Sequence, residues 1–177
     1  SFGVKKIFKP NISREIEIKA KEISDEVFKN LKSKEQLLSV YYKDALIGDL
    51  IYDTYLKSLG KYTLDIKDLK LRNMIFEFYC LCLYWENFFD KNNVKALLCI
   101  HTVYSYAIPI RIAIFNNINV YAMNLERLFS LSKKNYLKGT DFSYYPEQFT
   151  TLSLEDQEKG KKFAKQKLLD RFKGKTS

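Results

Sequence analysis

The stretch from residue 94 to residue 121 constrains the fold most, because its hydrophobic pattern changes period within a short length of chain. A short apolar run over residues 94–100 follows two asparagines and predicts a fully buried strand. Apolar side chains then recur at helical spacing over residues 102–114, and residues 118–121 predict a second strand. The order strand, helix, strand predicts a β-α-β unit with parallel strands.

His101 is the only histidine, and it directly follows the first predicted strand. Open α/β sheets bind ligands at the carboxyl ends of their strands. At this position a histidine can act as a general base or hold a phosphate or hydroxyl group. A partly buried histidine that bonds the backbone is the other interpretation. The amides of Thr102, Val103 and Tyr104 would open the next helix, which predicts an anion site.

A second candidate lies at Gly48-Asp49, where the pattern predicts the start of a helix. Asp53 follows four residues later, so both carboxylates share one helix face. Asp49 could serve as a catalytic carboxylate or bind sugar hydroxyls. The alternative is a helix cap with a solvated neighbour.

Further polar residues follow the second predicted strand. Asn124 and Arg127 would lie at the same sheet edge as His101, and an arginine past a strand end suits phosphate. Arg111, on the predicted helix, is interpreted as a surface residue or a salt-bridge partner.

The net charge of +9 favours anionic partners, such as sugar nucleotides, phospholipid head groups or nucleic acid. A solvated surface is the alternative, because many lysines fall on the polar faces of two predicted helices. Three cysteines in apolar runs indicate reduced, buried thiols.

Several motifs are missing from the sequence. No GxGxxG is found, so a nicotinamide dinucleotide site is not predicted. A single histidine and an incomplete set of cysteines predict no metal site. We find no signal peptide, and no apolar run reaches the ~20 residues of a membrane span.

The remaining pattern predicts a helix-rich α/β domain over residues 1–177. An amphipathic helix begins after Ser13, and a long helix over residues 68–89 is apolar on nearly every side, which predicts a buried position. Residues 133–150 are interpreted as a loop. A basic helix follows Ser153, with Phe163, Ala164, Leu168 and Phe172 predicted to face inward.

Four separate blocks of this chain resemble bacterial capsule and surface-polysaccharide biosynthesis proteins of the GT-B glycosyltransferase type. The resemblance covers most of the chain. The blocks are Ile47-Gly48-Asp49-Leu50-Ile51-Tyr52-Asp53, His101-Thr102-Val103-Tyr104, Ala107-Ile108-Pro109-Ile110-Arg111 and Arg171-Phe172-Lys173-Gly174.

The resemblance implies one half of a GT-B architecture, a Rossmann-like three-layer domain with a mainly parallel sheet. This would be the amino-terminal, acceptor-side half of a longer chain. Residues 151–177 would form a basic helix leading to a second domain that binds the donor nucleotide. The isolated half would then be inactive or nearly so. GT-B enzymes tend not to need a bound metal, so the resemblance implies no cofactor, with a nucleotide sugar as donor substrate.

The first functional hypothesis is therefore a cytoplasmic glycosyltransferase of surface-polysaccharide assembly, attached peripherally to the inner face of the plasma membrane. His101 or Asp49 would deprotonate a glycan or lipid-linked acceptor, and no specific nucleic-acid partner is expected. The expected substrate-binding residues are Gly48, Asp53, Thr102, Val103, Tyr104, Asn124 and Arg127. The second hypothesis is a non-catalytic basic module that binds nucleic acid or an anionic membrane surface.

Overall fold

A computed structural model describes residues 9–123, 128–137 and 145–175. Contacts divide the chain into a first unit, Ser1–Gly139, and a second unit, Thr140–Ser177. In the first unit the helices are α1 (Arg14–Asn30), α2 (Lys34–Leu38), α3 (Gly48–Leu59), α4 (Leu69–Lys91), a 3-10 helix (Tyr104–Ala107) and α5 (Ile108–Phe115). The strands are β1 (Tyr41–Tyr42), β2 (Ala45–Leu46), β3 (Ala96–Cys99), β4 (Asn119–Met123) and β5 (Leu128–Leu131). The second unit contains α6 (Tyr145–Thr150) and α7 (Leu154–Phe172).

Helices α1 and α4 pack against each other and confirm two predicted helices. Ser13 caps α1, since its hydroxyl oxygen accepts a hydrogen bond from the amide of Ile16 at 3.4 Å. The buried face of α1 then presents Ile16, Ala20 and Ser24. Asp68 caps α4 through the amide of Lys70 at 2.9 Å. These two helices supply much of the core, and both α3 and α5 pack against α4.

The predicted β-α-β unit is present. Strand β3 pairs with β4 in parallel, with Ala96 opposite Asn119 and Cys99 opposite Ala122. The 3-10 helix and α5 connect the two strands. This confirms the α/β class and places His101 directly beyond the carboxyl end of β3.

The prediction of a mainly parallel, three-layer sheet is not what the described residues show. Strand β5, which the sequence pattern did not reveal, pairs antiparallel with β4, with Met123 opposite Leu128. Only four residues separate the two strands, whereas a parallel crossover needs a dozen or more. The described three-stranded sheet is therefore mixed, in the order β3-β4-β5.

Strand β3 is also not fully buried. Leu97 and Cys99 lie on its inner side and pack on the core, whereas Leu98 is 62% exposed. Ile100, just beyond the strand, is 65% exposed. The run is apolar on both sides, which is typical of a strand buried on both faces. Here the outer face of the strand meets solvent instead.

Helix α7 confirms the basic helix predicted after Ser153, whose hydroxyl oxygen accepts from the amide of Asp156 at 3.1 Å. None of its side chains is buried, so the prediction that its apolar residues face inward is wrong for the second unit. Helix α6 occupies part of the segment interpreted as a loop.

Candidate functional site

Gly48 begins α3 in a place that leaves no room for a side chain. A Cβ atom at this residue would lie 1.8 Å from the carbonyl oxygen of Leu37. The amides of Ile47 and Gly48 both donate to the carbonyl oxygen of Val40, at 2.9 Å each. Close backbone approach therefore explains this glycine, and its predicted contact with substrate remains a prediction.

Asp49 forms an ion pair with Arg111, which is only 2% exposed on α5. The two guanidinium nitrogens donate to the two carboxylate oxygens at 2.5 and 2.7 Å. One of them also donates to the carbonyl oxygen of Leu46 at 2.5 Å. A bidentate pair of this kind fixes both position and orientation. It joins the first turn of α3 to α5, beside the β3–β4 connection.

Asp53 lies one turn further along α3, on the same face as Asp49, and is exposed. Partial burial of its carboxyl group raises its pKa, and the negative charge of Asp49 adds to the rise. The charge of Arg111 opposes this shift. The surroundings of Asp53 therefore favour its protonated form more than water does.

His101 is exposed beyond β3, as the sequence pattern predicted. Its ring centroid lies 5.8 Å from that of Tyr106, which is itself 66% exposed. An exposed imidazole beside an aromatic ring can exchange a proton with a bound hydroxyl group. The interpretation as a buried, backbone-bonded histidine is not supported by this exposure.

The segment after His101 differs from the predicted helix start. A 3-10 helix comes first, and α5 begins only at Ile108, with Pro109 in its first turn. Tyr104 has a positive φ of 56°, a backbone conformation that favours glycine. The amides of Thr102, Val103 and Tyr104 therefore do not form the start of an α-helix, and the predicted anion site lacks that geometry.

Tyr104 is nevertheless brought next to α3, which packs on the 3-10 helix. The Nζ atom of Lys57 lies 4.0 Å from the centroid of the Tyr104 ring, in a cation–π arrangement. Asp53 and Lys57 are one helical turn apart on α3. We use the name carboxyl-edge cluster for two contacting pairs, His101 with Tyr106 and Lys57 with Tyr104.

The predicted residues thus fall into two groups. Asp49 pairs with Arg111 below the edge, whereas His101 contacts Tyr106 at the edge itself. Asn124 and Arg127 lie outside the described residues, so their predicted roles in substrate binding stay predictions.

Of the two interpretations of Arg111, the salt-bridge partner is confirmed by its pair with Asp49, and the surface residue is wrong because Arg111 is 2% exposed. Lys57 and Tyr106 were not predicted as site residues. Arg111 had a usable signal, because it is the single charged residue of α5, in the segment Ile108-Pro109-Ile110-Arg111-Ile112-Ala113-Ile114-Phe115. A charge on so apolar a helix needs a partner. Lys57 carried no such signal, since it is one of many exposed lysines.

The chain matches no protein-family model, no curated protein and no solved structure. Within residues 9–123, 128–137 and 145–175, no group of three or more His, Cys, Asp or Glu side chains is placed to hold a metal ion. In the same ranges, no helix has both the length and the apolar character required to cross a membrane. The fold and the carboxyl-edge cluster are therefore the observations that bear on function.

Proposed function

We propose that this chain is the acceptor-side half of a glycosyltransferase that acts in surface-polysaccharide assembly at the cytoplasmic side of the membrane. The observation that carries the proposal is an exposed His101 at the carboxyl end of the first strand of a β-α-β unit. This is the edge at which open α/β sheets bind their ligands. Tyr106 contacts His101 there, and Lys57 of α3 contacts Tyr104 of the following 3-10 helix.

In the proposed reaction, a ring nitrogen of His101 takes the proton of an acceptor hydroxyl group as its oxygen attacks the anomeric carbon of a nucleotide sugar. The nucleoside diphosphate leaves with the electrons of the broken bond. The apolar faces of Tyr104 and Tyr106 suit the C–H faces of a sugar ring. Lys57 supplies a positive charge for a phosphate of the donor or of a lipid-linked acceptor.

The two carboxylates take different roles in this proposal. Asp53 accepts a hydrogen bond from the acceptor. Asp49 acts through Arg111 by fixing α3 against α5. Asp49 as the catalytic base is the alternative assignment, and activity measurements distinguish the two.

The test compares His101→Gln with Lys95→Gln, since the two residues flank opposite ends of β3 and both are exposed. The full-length protein, which carries both the acceptor-side half and the donor-binding half, is assayed for glycosyl transfer with a panel of nucleotide sugars and glycan or lipid-linked acceptors. We expect His101→Gln to lower turnover by ~100-fold or more, the usual contribution of general acid–base catalysis. Lys95→Gln should leave turnover unchanged. Equal turnover in His101→Gln and the unsubstituted protein would remove His101 from the mechanism.

Asp49→Asn and Asp53→Asn separate the two carboxylates. If Asp49 only positions α3, Asp49→Asn should lower the melting temperature and lower activity in parallel. Asp53→Asn should lower activity with little change in melting temperature. Activity loss in Asp49→Asn at full stability would support the alternative, in which Asp49 is the base.

The second candidate function is a non-catalytic basic module that binds nucleic acid or an anionic surface. The net charge of +9 favours it. It predicts binding that weakens steeply as salt is raised and that does not depend on His101. Turnover that depends on His101 would contradict a purely binding role.

A further inference from the structure

Helix α7 has no buried side chain, although it is 19 residues long. Phe172 is 85% exposed, and Leu168 and Leu169 are 56% and 42% exposed. Side chains of this size normally lose most of their contact with water in a folded protein, because burial of each contributes favourably to stability. The second unit therefore presents an apolar surface to solvent.

The charges of α7 are segregated along its length. Its acidic residues at the amino end are Glu155, Asp156 and Glu158. Over residues 159–175, eight side chains are Lys or Arg and only Asp170 is acidic. This segment therefore contributes most of the net charge of +9.

Two lysines and three apolar residues of this segment share one face. Lys161, Lys165, Leu168, Leu169 and Phe172 recur at the i, i+4, i+7, i+8 and i+11 spacing of an α-helix. Long lysine side chains can extend to a charged layer while their methylene groups lie along apolar surface. We call these five residues the basic-apolar face.

The opposite face provides a comparison. Lys159, Phe163 and Lys167 lie there together with Asp156 and Asp170. The Nζ atom of Lys167 lies 5.6 Å from the centroid of the Phe163 ring. Two lysines and one phenylalanine thus occur on each face. Within residues 159–172 the single acidic residue, Asp170, lies on the second face. Glu158 pairs with Lys161 of the first face, at its amino end.

We propose that the basic-apolar face of α7 binds the surface of an anionic lipid bilayer, with Leu168, Leu169 and Phe172 entering the headgroup region. A helix that lies along a bilayer surface inserts apolar side chains among the head groups, and lysines next to them can extend to the anionic layer. Nucleic acid would pair with the lysines but would leave the two leucines without an apolar partner. The proposal concerns a different surface from the carboxyl-edge cluster and does not depend on catalysis.

The first experiment measures binding of the full chain to vesicles by co-sedimentation. Phosphatidylcholine vesicles containing about one third phosphatidylglycerol should bind the chain, and phosphatidylcholine alone should not. Binding should weaken between about 0.1 and 0.5 M salt, since the attraction is screened. Equal binding to both kinds of vesicle, or to neither, would overturn the proposal.

Matched variants then identify the face. Lys161→Gln/Lys165→Gln and Lys159→Gln/Lys167→Gln each remove two charges, and each pair includes one lysine that forms an ion pair with a glutamate. The first pair should weaken vesicle binding ~30-fold, because each lysine held near an anionic surface contributes about fivefold. The second pair should weaken it by less than about fivefold. Equal effects would show that binding follows overall charge and would overturn the assignment to one face.

Two tryptophan variants report insertion directly. Phe172→Trp should be quenched by brominated lipid, and Phe163→Trp should not, with Trp85 as a common background. A duplex DNA or RNA that competes fully with vesicles and requires the same lysines, without quenching of Phe172→Trp, would assign the face to nucleic acid. His101→Gln should bind vesicles like the unsubstituted chain. A negative result in the vesicle test would therefore not count against the catalytic role of His101, and the reverse also holds.

Discussion

Gly48 illustrates how one backbone contact fixes a residue. We predict that Gly48→Ala lowers the free energy of unfolding by about 3 kcal/mol or more, because its Cβ would lie 1.8 Å from the carbonyl oxygen of Leu37. Gly60→Ala is the control. Gly60 has a φ of 59° and no atom within 4 Å of a Cβ, so only the conformational cost of about 1 kcal/mol remains. Urea unfolding measures both, and equal losses would contradict the packing argument.

The ion pair between Asp49 and Arg111 should behave as a coupled unit. Asp49→Ala leaves a buried guanidinium group without its counter-charge, and we expect a loss of about 2–3 kcal/mol in the free energy of unfolding. The double variant Asp49→Ala/Arg111→Met should be more stable than Asp49→Ala alone, because it removes the unpaired charge. Asp53→Ala, which removes an exposed carboxylate, should change stability by less than about 0.5 kcal/mol. Strictly additive losses in urea unfolding would refute the coupling.

The sequence located some site residues and missed others for physical reasons. His101 was placed correctly beyond a strand, because a change of hydrophobic period marks the end of that strand. The contact between Lys57 and Tyr104 could not be predicted, since it depends on how α3 packs on the 3-10 helix and on a positive φ at Tyr104. Contacts between residues that are far apart in the sequence leave no local hydrophobic pattern that could predict them.

At the scale of elements, the sheet has an inner and an outer face that differ in burial. Leu97 packs against the core, whereas Leu98, the next residue of β3, is 62% exposed. We predict that Leu97→Ala lowers the free energy of unfolding by about 1.5 kcal/mol, because Leu97 is only partly buried. Leu98→Ala should change it by less than about 0.5 kcal/mol. Chemical denaturation of the two variants measures the difference. A larger loss in Leu98→Ala than in Leu97→Ala would indicate that Leu98, and not Leu97, faces the core.

Long elements with a regular hydrophobic period were predicted well, and short ones were not. Helices α1 and α4 each carry several apolar turns and a capping side chain, so pattern and caps agree. Strand β5 has four residues and α6 has six, too few to establish a period. The helix was predicted to begin before the observed start of α5, because a 3-10 helix preserves much of the same apolar spacing.

At the scale of the whole molecule, the described core belongs to the first unit. Its buried hydrophobic residues lie between Ile16 and Leu131, and α7 contributes none. The sequence predicted the α/β class because a β-α-β unit has a clear signature. That signature is shared by many unrelated proteins, so the GT-B resemblance stays a prediction.

Buried acidic groups make the stability of this core sensitive to alkali. Burial raises the pKa of the Cys80 thiol to about 11 and that of the Tyr79 hydroxyl to about 12. These groups lose their protons in the unfolded chain near pH 9 and 10. Between pH 9 and 12 the unfolded state therefore binds fewer protons, and stability falls as pH rises. We expect a loss of about 2–4 kcal/mol in the free energy of unfolding between pH 8 and 11.

Urea unfolding under reducing conditions at pH 8, 9, 10 and 11 checks this expectation. In Cys80→Ala the curve should be flatter between pH 9 and 10, since one of the buried thiols that lose their protons first in the unfolded chain is gone. A free energy of unfolding that is constant from pH 8 to pH 11 would contradict the proposed role of the buried acids.

The three cysteines differ in burial, so they should react with a thiol reagent at different rates. Cys80 and Cys82 are buried in α4, whereas Cys99 is partly exposed at the end of β3, where its thiol donates to the carbonyl oxygen of Tyr121 at 3.4 Å. A thiol-specific reagent should modify Cys99 when the sheet edge frays locally. It should reach the other two cysteines only when the core opens as a whole. One labelling time course would therefore distinguish local opening of the sheet edge from global unfolding.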